Sequence, residues 1–201
     1  MIETLAELEA LYGTPGPASM EKVAARITPD YARIIEAAPF LALATAGPEG
    51  LDCSPRGDAH GLVRIQDDST LLLPDRRGND RIDSLRNIVR DGRVALMFLV
   101  PGSGNALRIN GRAGISAEAG LLASFEVDGR RPRSVTVVTV QEVYFQCARA
   151  IIRAGLWDAA SQLRAEGLPT PGRILANMTA GAVGGDVYDR ECPERARATM
   201  Y

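Results

Sequence analysis

Between Phe40 and Cys147 the sequence is a succession of apolar and β-branched segments, most of them separated by short turns. In chain order they are FLALATA, LDCSPRGD, GLVRIQD, TLLLPD, RVALMFLVPG, NALRINGRAGIS and SVTVVTVQEVYFQC. One short helix, over residues 81–90, is predicted among them. About six strands in hairpin order favour a closed antiparallel arrangement, so the predicted fold class is mainly β, a β-barrel with flanking helices.

Helices are predicted on both sides of this β-rich region. Residues 2–11 have leucines at helical spacing, and Ser19 is a candidate cap for a helix over residues 20–27. Thr28 and Pro29 begin a further helix. After the last strand, the segments ARAIIRAGLWDAASQL and GRILANM have helical patterns, and irregular polar sequence follows them.

The length of 201 residues suits one sizeable domain or two small ones. Within a single domain over residues 1–201 we expect a helical N-terminal extension (1–30), a core (about 31–157) and a helical or irregular tail (158–201). Gly111, inside a predicted strand, indicates a β-bulge or a close backbone approach.

Composition and charge argue against several classes of protein. With 46% hydrophobic and 24% charged residues, the chain is typical of globular proteins. A net charge of −2 argues against a nucleic-acid-binding protein. No apolar run reaches the roughly 18 residues of a membrane span. The acidic N-terminus MIETLAELEALYG does not resemble a secretory signal, so a cytoplasmic protein is expected.

The cysteines and the single histidine limit the chemistry. Cys53, Cys147 and Cys192 are far apart and lack C-x-x-C spacing, so neither a disulfide framework nor a zinc site is expected. His60 is the only histidine, which excludes a His-rich metal site, and no G-x-S-x-G motif is present. The sequence therefore predicts no metal site and assigns no catalytic residue.

Arg76, Arg77 and Arg81 cluster where the segment TLLLPD gives way to the predicted helix. Arginine has a planar fork of donors that matches phosphate oxygens, and a helix N-terminus adds unpaired N–H groups. With Gly78 and Asn79 allowing a tight backbone, the cluster predicts a phosphate-sized anion site. The alternative is a solvated turn in which these arginines pair with nearby aspartates. Those aspartates are Asp75, Asp80 and Asp83.

A further cation, Arg56, lies on the preceding hairpin between Pro55 and Gly57. Because consecutive strands are usually neighbours, Arg56 could approach the same anion as Arg81. Ser54 lies two residues earlier and therefore points to the same strand face as Arg56. The alternative is that Arg56 is an ordinary surface residue of a turn.

The order of these motifs resembles the pyridoxamine 5'-phosphate oxidase-related family of flavin-nucleotide-binding proteins. The most specific matching parts are SPRGD, LPDRRGNDRIDSLRNI and LRINGRA, and the resemblance spans about Tyr31 to Trp157. It implies an FMN-binding split barrel, pyridoxamine 5'-phosphate oxidase-like, that forms a homodimer with FMN in a cleft between the two subunits.

The resemblance also implies which residues bind FMN. Its phosphate would be held by the second strand and by the segment that leads into the short helix. The residues that match are Ser54, Arg56, Arg77, Asn79, Arg81 and Ser84. Pro74 and Asp75 match the place where backbone groups meet the pyrimidine edge of the flavin, and Asn105 matches a polar position near the ring.

The second half of the site would come from the partner chain, through the segment YFQCARAIIRAGLWD. The family often has His-Cys and a lysine here, whereas this chain has Gln146 in place of the histidine and Arg149 in place of the lysine. Cys147 and Trp157 match, and Arg149 and Trp157 are expected to contact the cofactor or its ligand. Gln146 removes a group that titrates near neutral pH, which weakens the prediction of proton-transfer catalysis.

These observations predict an FMN-binding flavoprotein, an oxidoreductase that transfers hydride or electrons between an unknown small molecule and FMN. Residues for a substrate phosphate are not identifiable in the sequence, so pyridoxamine phosphate oxidation itself is not predicted. The alternatives are a non-catalytic flavin-nucleotide-binding module for storage or sensing, a relative that uses deazaflavin or haem, and a dimeric scaffold without cofactor. A lone His60 argues against haem ligation.

Overall fold

A seven-stranded antiparallel sheet forms the centre of the molecule in the computed structural model, which describes residues 1–59, 61–162 and 167–201. The strands are β1 (Phe40–Gly47), β2 (Gly50–Gly57), β3 (Arg64–Asp67), β4 (Thr70–Pro74), β5 (Arg93–Leu99), β6 (Ala106–Ser116) and β7 (Val135–Gln146). Their order in the sheet is β2-β1-β5-β6-β7-β4-β3. The mainly β prediction is confirmed, with seven strands in the described residues where about six were expected.

The helices flank this sheet. They are α1 (Leu5–Glu9), α2 (Pro17–Glu21), α3 (Pro29–Ala37), α4 (Asp83–Arg90), α5 (Ala119–Ala123), α6 (Arg149–Ala154), α7 (Ala159–Gln162), α8 (Pro171–Met178) and α9 (Gly185–Ala198). The predicted start of α3 is confirmed, because Thr28 Oγ1 accepts a hydrogen bond from the Tyr31 N–H at 3.3 Å and Pro29 is the first helical residue. None of the described helices combines the length and the hydropathy that crossing a bilayer requires.

The main core lies on one face of the sheet. Alternate residues of the central strands, such as Leu41 and Leu43 in β1, are fully buried there. Ile35 of α3 and Ile88 of α4 pack into the same cluster. The two helices therefore cover the sheet, and the packing of Ile88 holds the N-terminus of α4 beside β1 and β2.

Gly111 lies opposite a bulge and at a close backbone approach, as predicted, and the extra residue of the bulge, Gln141, is in β7. The pairing of β6 with β7 shifts register between Asn110 and Gly111. A Cβ atom at position 111 would lie 2.2 Å from the carbonyl oxygen of Thr139. Only glycine allows this backbone approach, and the bulge bends the two longest strands.

Two helix predictions are wrong in their extent. The helix expected over residues 20–27, with Ser19 as its cap, is instead α2, which begins at Pro17 after the N-cap Gly16 and ends at Glu21. Ala24 pairs with Val143 of β7 through two backbone hydrogen bonds of 2.8 and 3.0 Å. The helix expected after β7 is divided, because Gly155 adopts a left-handed conformation with φ of 57° that ends α6. The last part of that prediction, within residues 163–166, lies outside the described residues.

The tail was expected to end irregularly, but α9 is a helix. Asp189 of α9 accepts a hydrogen bond of 2.7 Å from the backbone N–H of Gly172 and one from Thr170 Oγ1. The backbone of α8 also approaches Gly184 and Gly185 closely. Contacts between α8 and α9 therefore stabilise a helix whose polar sequence has little apolar periodicity.

Candidate functional site

A cavity of about 820 Å³ lies between β2, the end of β4, the segment over residues 75–82 and the start of α4. Most of the residues predicted to hold a cofactor line it. They are Ser54, Arg56, Pro74, Asp75, Arg77, Asn79, Arg81 and Ser84. The structure thus brings together the two arginine-bearing segments that sequence analysis expected to share one anion.

Arg56 is held by hydroxyl and carbonyl oxygens at the wall of this cavity. Its Nη1 donates to Ser54 Oγ at 2.8 Å and to the Pro55 carbonyl at 2.9 Å, and its Nη2 lies 3.4 Å from Ser84 Oγ. Ser84 Oγ donates to the carboxylate of Asp52 and lies 2.8 Å from Ser54 Oγ. Because the proton of Ser84 is directed to Asp52, Ser54 donates to Ser84 and accepts from Arg56. This chain of hydrogen bonds fixes the position of the guanidinium group.

Arg56 and Arg77 keep their charges unneutralised. Across residues 1–59, 61–162 and 167–201, no carboxylate forms an ion pair with either of them. Arg81, in contrast, pairs with Asp83 at 2.8 Å, and its side chain is 78% exposed. The solvated-turn alternative therefore describes Arg81 in this structure, whereas Arg56 and Arg77 are available to an anion.

Arg76 has a structural role. Its side chain is 15% exposed, its Nε donates to the buried Asp58 at 2.9 Å, and its Nη1 donates to the Phe125 carbonyl at 2.8 Å. The ring of Tyr201 lies 5.3 Å from its guanidinium carbon, and the hydroxyl of Tyr201 donates to Asp58 at 3.0 Å. Arg76 thus joins the wall of the cavity to the last residue of the sequence.

The N-terminus of α4 faces the same cavity. Ile82 is its N-cap residue and supplies no side-chain hydrogen bond. The N–H groups in the first turn of a helix have no partner inside the helix, so they present donors and a partial positive charge to the cavity. The first helical residue, Asp83, offsets part of this charge, but its carboxylate is engaged by Arg81.

Asp75 lines the cavity at the end of β4, and its backbone N–H donates to the Ser134 carbonyl at 2.9 Å. Burial raises the pKa of its carboxyl above the ordinary value, and the charges of Arg56 and Arg133 oppose that shift. The carboxyl therefore takes up a proton at a higher pH than an exposed aspartate does.

The remaining predicted residues, Asn105, Arg149 and Trp157, do not line this cavity. Trp157 Nε1 donates to the Ser103 carbonyl at 2.6 Å, and Ser103 Oγ lies 3.3 Å from the Asn105 carbonyl. Arg149 is the exposed first residue of α6. We call Asn105, Arg149 and Trp157 the distal group.

The distal group lies at the other end of the sheet from the cavity. Pro74, at the cavity, pairs with Val135 at the start of β7, whereas Ala106, beside the distal group, pairs with Gln146 at its end. Within one chain the two halves of the predicted site are therefore separate.

Next to the distal group, Gln146 and Cys147 stand where the predicted partner half begins. Gln146 Nε2 lies 3.8 Å from Cys147 Sγ. Cys147 is exposed, and a hydrogen bond from the backbone N–H of Arg149 lowers the pKa of its thiol.

Sequence reasoning missed several residues of the cavity. Asp52 precedes Ser54 by two residues, so strand alternation alone places it on the same face and could have found it. Asp58 follows Arg56 by two residues, so the same alternation could have found it, whereas Arg133 comes from a distant segment and carries no local signal. His60, the residue on which haem ligation would depend, lies outside the described residues. Within the described ranges, no group of three or more His, Cys, Asp or Glu side chains could hold a metal ion.

A sequence model of the pyridoxamine 5'-phosphate oxidase family matches residues 27–147. No curated protein matches the chain at a significant level. A single-substitution variant of HupZ from Group A Streptococcus is 18% identical, with a TM-score of 0.50, over 60% of this chain and 99% of its own. The chain therefore shares the fold of that protein.

Two further solved structures match with lower TM-scores. A proposed pyridoxamine 5'-phosphate oxidase from Lactobacillus delbrueckii is 20% identical, covers 60% of this chain and 95% of its own, and has a TM-score of 0.48. An FMN-binding protein from Syntrophomonas wolfei is 12% identical, covers 57% of this chain and 86% of its own, and has a TM-score of 0.43.

Proposed function

The chain belongs to the pyridoxamine 5'-phosphate oxidase family and has its split-barrel fold, and from this premise we propose that it is an FMN-binding oxidoreductase. It would transfer hydride or electrons between a small molecule and FMN. In this proposal residues 1–201 form one FMN-binding domain, and two chains form a homodimer with FMN at their interface.

One observation carries the proposal: two unneutralised guanidinium groups and a helix N-terminus face one cavity. Arg56 comes from β2, and Arg77 comes from the segment before α4. A phosphate dianion would satisfy both charges and the first-turn N–H groups of α4 together. The volume of about 820 Å³ lies within the range of small-molecule sites.

The residues of the cavity would hold and orient the cofactor. Ser54 and Ser84 fix the guanidinium of Arg56 through their hydroxyl groups, so little side-chain entropy is lost when a phosphate binds. Pro74 and Asp75 stand where backbone groups would meet the flavin ring. Bound FMN would supply the redox chemistry, since none of the residues of the cavity does so.

A non-catalytic flavin-binding module is the second candidate function, and Gln146 favours it. The chain has an amide where the family resemblance implies an imidazole, and an amide neither takes up nor releases a proton near neutral pH. A storage or sensing protein needs only the phosphate anchor and the flavin pocket.

Two measurements on the purified full chain test the proposal. An absorbance spectrum should show the two visible bands of an oxidised flavin, either as isolated or after addition of FMN. A protein that stays colourless in both cases would contradict flavin binding. Stopped-flow mixing of the flavin-loaded protein with NADH or NADPH should then bleach the visible bands. A flavin that no donor reduces would favour the binding module.

A further inference from the structure

Residues 199–201, which follow α9, contact the wall of the cavity. The hydroxyl of Tyr201 donates to Asp58 Oδ1 at 3.0 Å, and the ring of Tyr201 lies 5.3 Å from the guanidinium carbon of Arg76. Asp58 and Arg76 both line the cavity, whereas Tyr201 does not. We call residues 199–201 the latch.

Arg130 holds the latch from a second side. Its Nη1 donates to the carbonyl of Tyr201 at 2.8 Å and to that of Ala198, the last residue of α9, at 3.4 Å. A guanidinium group is favourable at the C-terminal end of a helix, where the carbonyl groups have no partner within the helix. Arg130 itself ends a tight turn in which Asp128 and Gly129 both have positive φ, at 50° and 74°. Side chains of two separate segments therefore hold the latch.

The hydroxyl of Tyr201 matters because its acceptor is a buried carboxylate. The side chain of Asp58 is 2% exposed, and its Oδ2 accepts a hydrogen bond of 2.9 Å from Arg76 Nε while its Oδ1 accepts from Tyr201. A buried carboxylate is stable only when its oxygens have donors. Burial, together with the hydrogen bond to Asp58, raises the pKa of the Tyr201 hydroxyl, so this group remains a protonated donor at neutral pH. Loss of the hydroxyl therefore destabilises the carboxylate that anchors Arg76.

The anchored Arg76 in turn positions Arg77. The two residues are adjacent, so their Cα atoms are about 3.8 Å apart. Arg76 is fixed by Asp58 and by the Phe125 carbonyl. Arg77 lines the cavity and forms no ion pair in the described part of the chain. The latch therefore helps to set where the backbone of residues 75–82 presents Arg77.

We propose that Tyr201 is a positioning residue for the phosphate site and that the latch controls exchange of the cofactor. With the latch docked, residues 75–82 present Arg77 and the start of α4 to the phosphate. With the latch released, this segment loosens and the phosphate loses part of its site. By thermodynamic linkage, a bound phosphate must favour the docked latch by the same factor. The effect on FMN rests on the proposed function, whereas the coupling of Tyr201 to residues 75–82 does not.

Titrations of the full chain with FMN and with riboflavin test the positioning role. Tyr201→Phe keeps the ring and removes only the hydroxyl, so it should weaken FMN binding by about 2- to 10-fold and speed FMN release, while riboflavin affinity stays the same. Arg130→Gln frees the latch from its second side without altering a residue that lines the cavity, and it should act in the same direction. The control Tyr12→Phe, at an exposed tyrosine of the N-terminal extension, should change neither affinity. Equal losses of FMN and riboflavin affinity, or wild-type FMN affinity in Tyr201→Phe, would overturn the positioning role.

Limited trypsin digestion of the cofactor-free chain tests the coupling without flavin. Trypsin cleaves after arginine, and residues 75–82 contain Arg76, Arg77 and Arg81. Cleavage within this segment, located by mass spectrometry, should be severalfold faster in Tyr201→Phe than in wild type or Tyr12→Phe. Equal rates would overturn the coupling, because a segment that is independent of the latch does not respond to its release.

The two experiments separate the possible failures. If no flavin binds but the cleavage rate responds to Tyr201→Phe, the proposed function fails and the coupling stands. If FMN binds to Tyr201→Phe with wild-type affinity, the positioning role fails and the proposed function stands. In wild type, FMN should also slow cleavage after Arg195 and Arg197, close to the latch, and Tyr201→Phe should reduce this protection. Absence of that protection in wild type would contradict the linkage.

Discussion

At the scale of single residues, the partners of each arginine decide what it can bind. Arg56 is positioned by two hydroxyls and keeps its full charge, whereas the pair of Arg76 with the buried Asp58 is too costly to break. Arg81 lies between these two cases, because it has a carboxylate partner but the pair is exposed. Its exposed pair with Asp83 is worth about 0–1 kcal/mol, so a phosphate could recruit Arg81 at little cost.

Asp75 should make nucleotide binding depend on pH. Burial raises the pKa of its carboxyl above the ordinary value. The contribution of protonated Asp75 to folding stability is therefore complete below the ordinary pKa and is lost as the pH rises through the raised pKa. Above that pKa its negative charge also opposes an anion in the cavity. The variant Asp75→Asn should therefore bind FMN severalfold more tightly at neutral pH and equally well when Asp75 is protonated.

Flavin fluorescence titrations of wild type and Asp75→Asn across acidic to neutral pH measure this effect. The ionisation of FMN itself is common to both proteins and cancels from the ratio of their dissociation constants. A ratio of dissociation constants that stays at one from acidic to neutral pH would show that the charge of Asp75 does not affect nucleotide binding.

Part of the cavity follows from local sequence and part does not. Strand alternation gives Ser54 and Arg56 a common face, and Arg77, in the segment between strand and helix, lines the same cavity. The choice of ion-pair partner depends on three-dimensional neighbours. Asp58 engages Arg76 rather than the arginines nearer the helix, and no periodicity or turn signal encodes that contact.

At the scale of elements, the position of α4 against the sheet shapes the site. The buried Asn87 of α4 donates to Thr45 Oγ1 at 3.2 Å, which ties the helix to β1. Gly47 leaves room for Asn87, since a Cβ atom there would lie 2.1 Å from its Oδ1. The N-terminus of α4 therefore stays beside β2, where the phosphate would bind.

Replacing Gly111 should destabilise the sheet. A methyl group at this position meets the backbone oxygen of Thr139, which cannot move without disturbing β7. We expect Gly111→Ala to lower the free energy of unfolding by about 1–3 kcal/mol in urea titrations. Gly114→Ala is the matched control in the same strand, because no atom lies within 4 Å of its added Cβ. Equal effects of the two substitutions would contradict the role assigned to the bulge.

The central strands β1, β5, β6 and β7 were predictable because each has a buried apolar face. The helices α6 and α9 show where local patterns fail. A continuous helical pattern runs through Gly155, yet the left-handed conformation of that glycine ends α6. The helix α9 lacks a strong apolar stripe and depends on contacts of Asp189 with α8.

At the scale of the whole molecule, the proposal needs two chains. The cavity and the distal group lie at opposite ends of β7, so one chain would hold the phosphate and its partner would supply Arg149 and Trp157. Solution scattering or light scattering on the purified protein should therefore give the mass of a dimer.

Mixed dimers test the shared site. Arg56→Gln and Trp157→Ala should each weaken FMN binding when present in both chains. After co-refolding of equal amounts, half of the dimers are mixed, and each has one site without either substitution. About one quarter of all sites should then regain wild-type affinity in an FMN titration. Complete failure to regain high-affinity sites, although mixed dimers form, would place the whole site within one chain.

The central claim, that the guanidinium groups beside α4 hold the phosphate of FMN, is tested most directly by comparing FMN with riboflavin. Wild type should bind FMN more tightly, and Arg56→Gln should lose about 1–3 kcal/mol of FMN affinity, roughly 5- to 150-fold, while riboflavin binding stays the same. The control variant Arg26→Gln removes an exposed arginine that pairs with Asp68 outside the cavity, and it should change neither affinity. Equal affinities of wild type for FMN and riboflavin, or an equal loss of both in Arg56→Gln, would contradict the account.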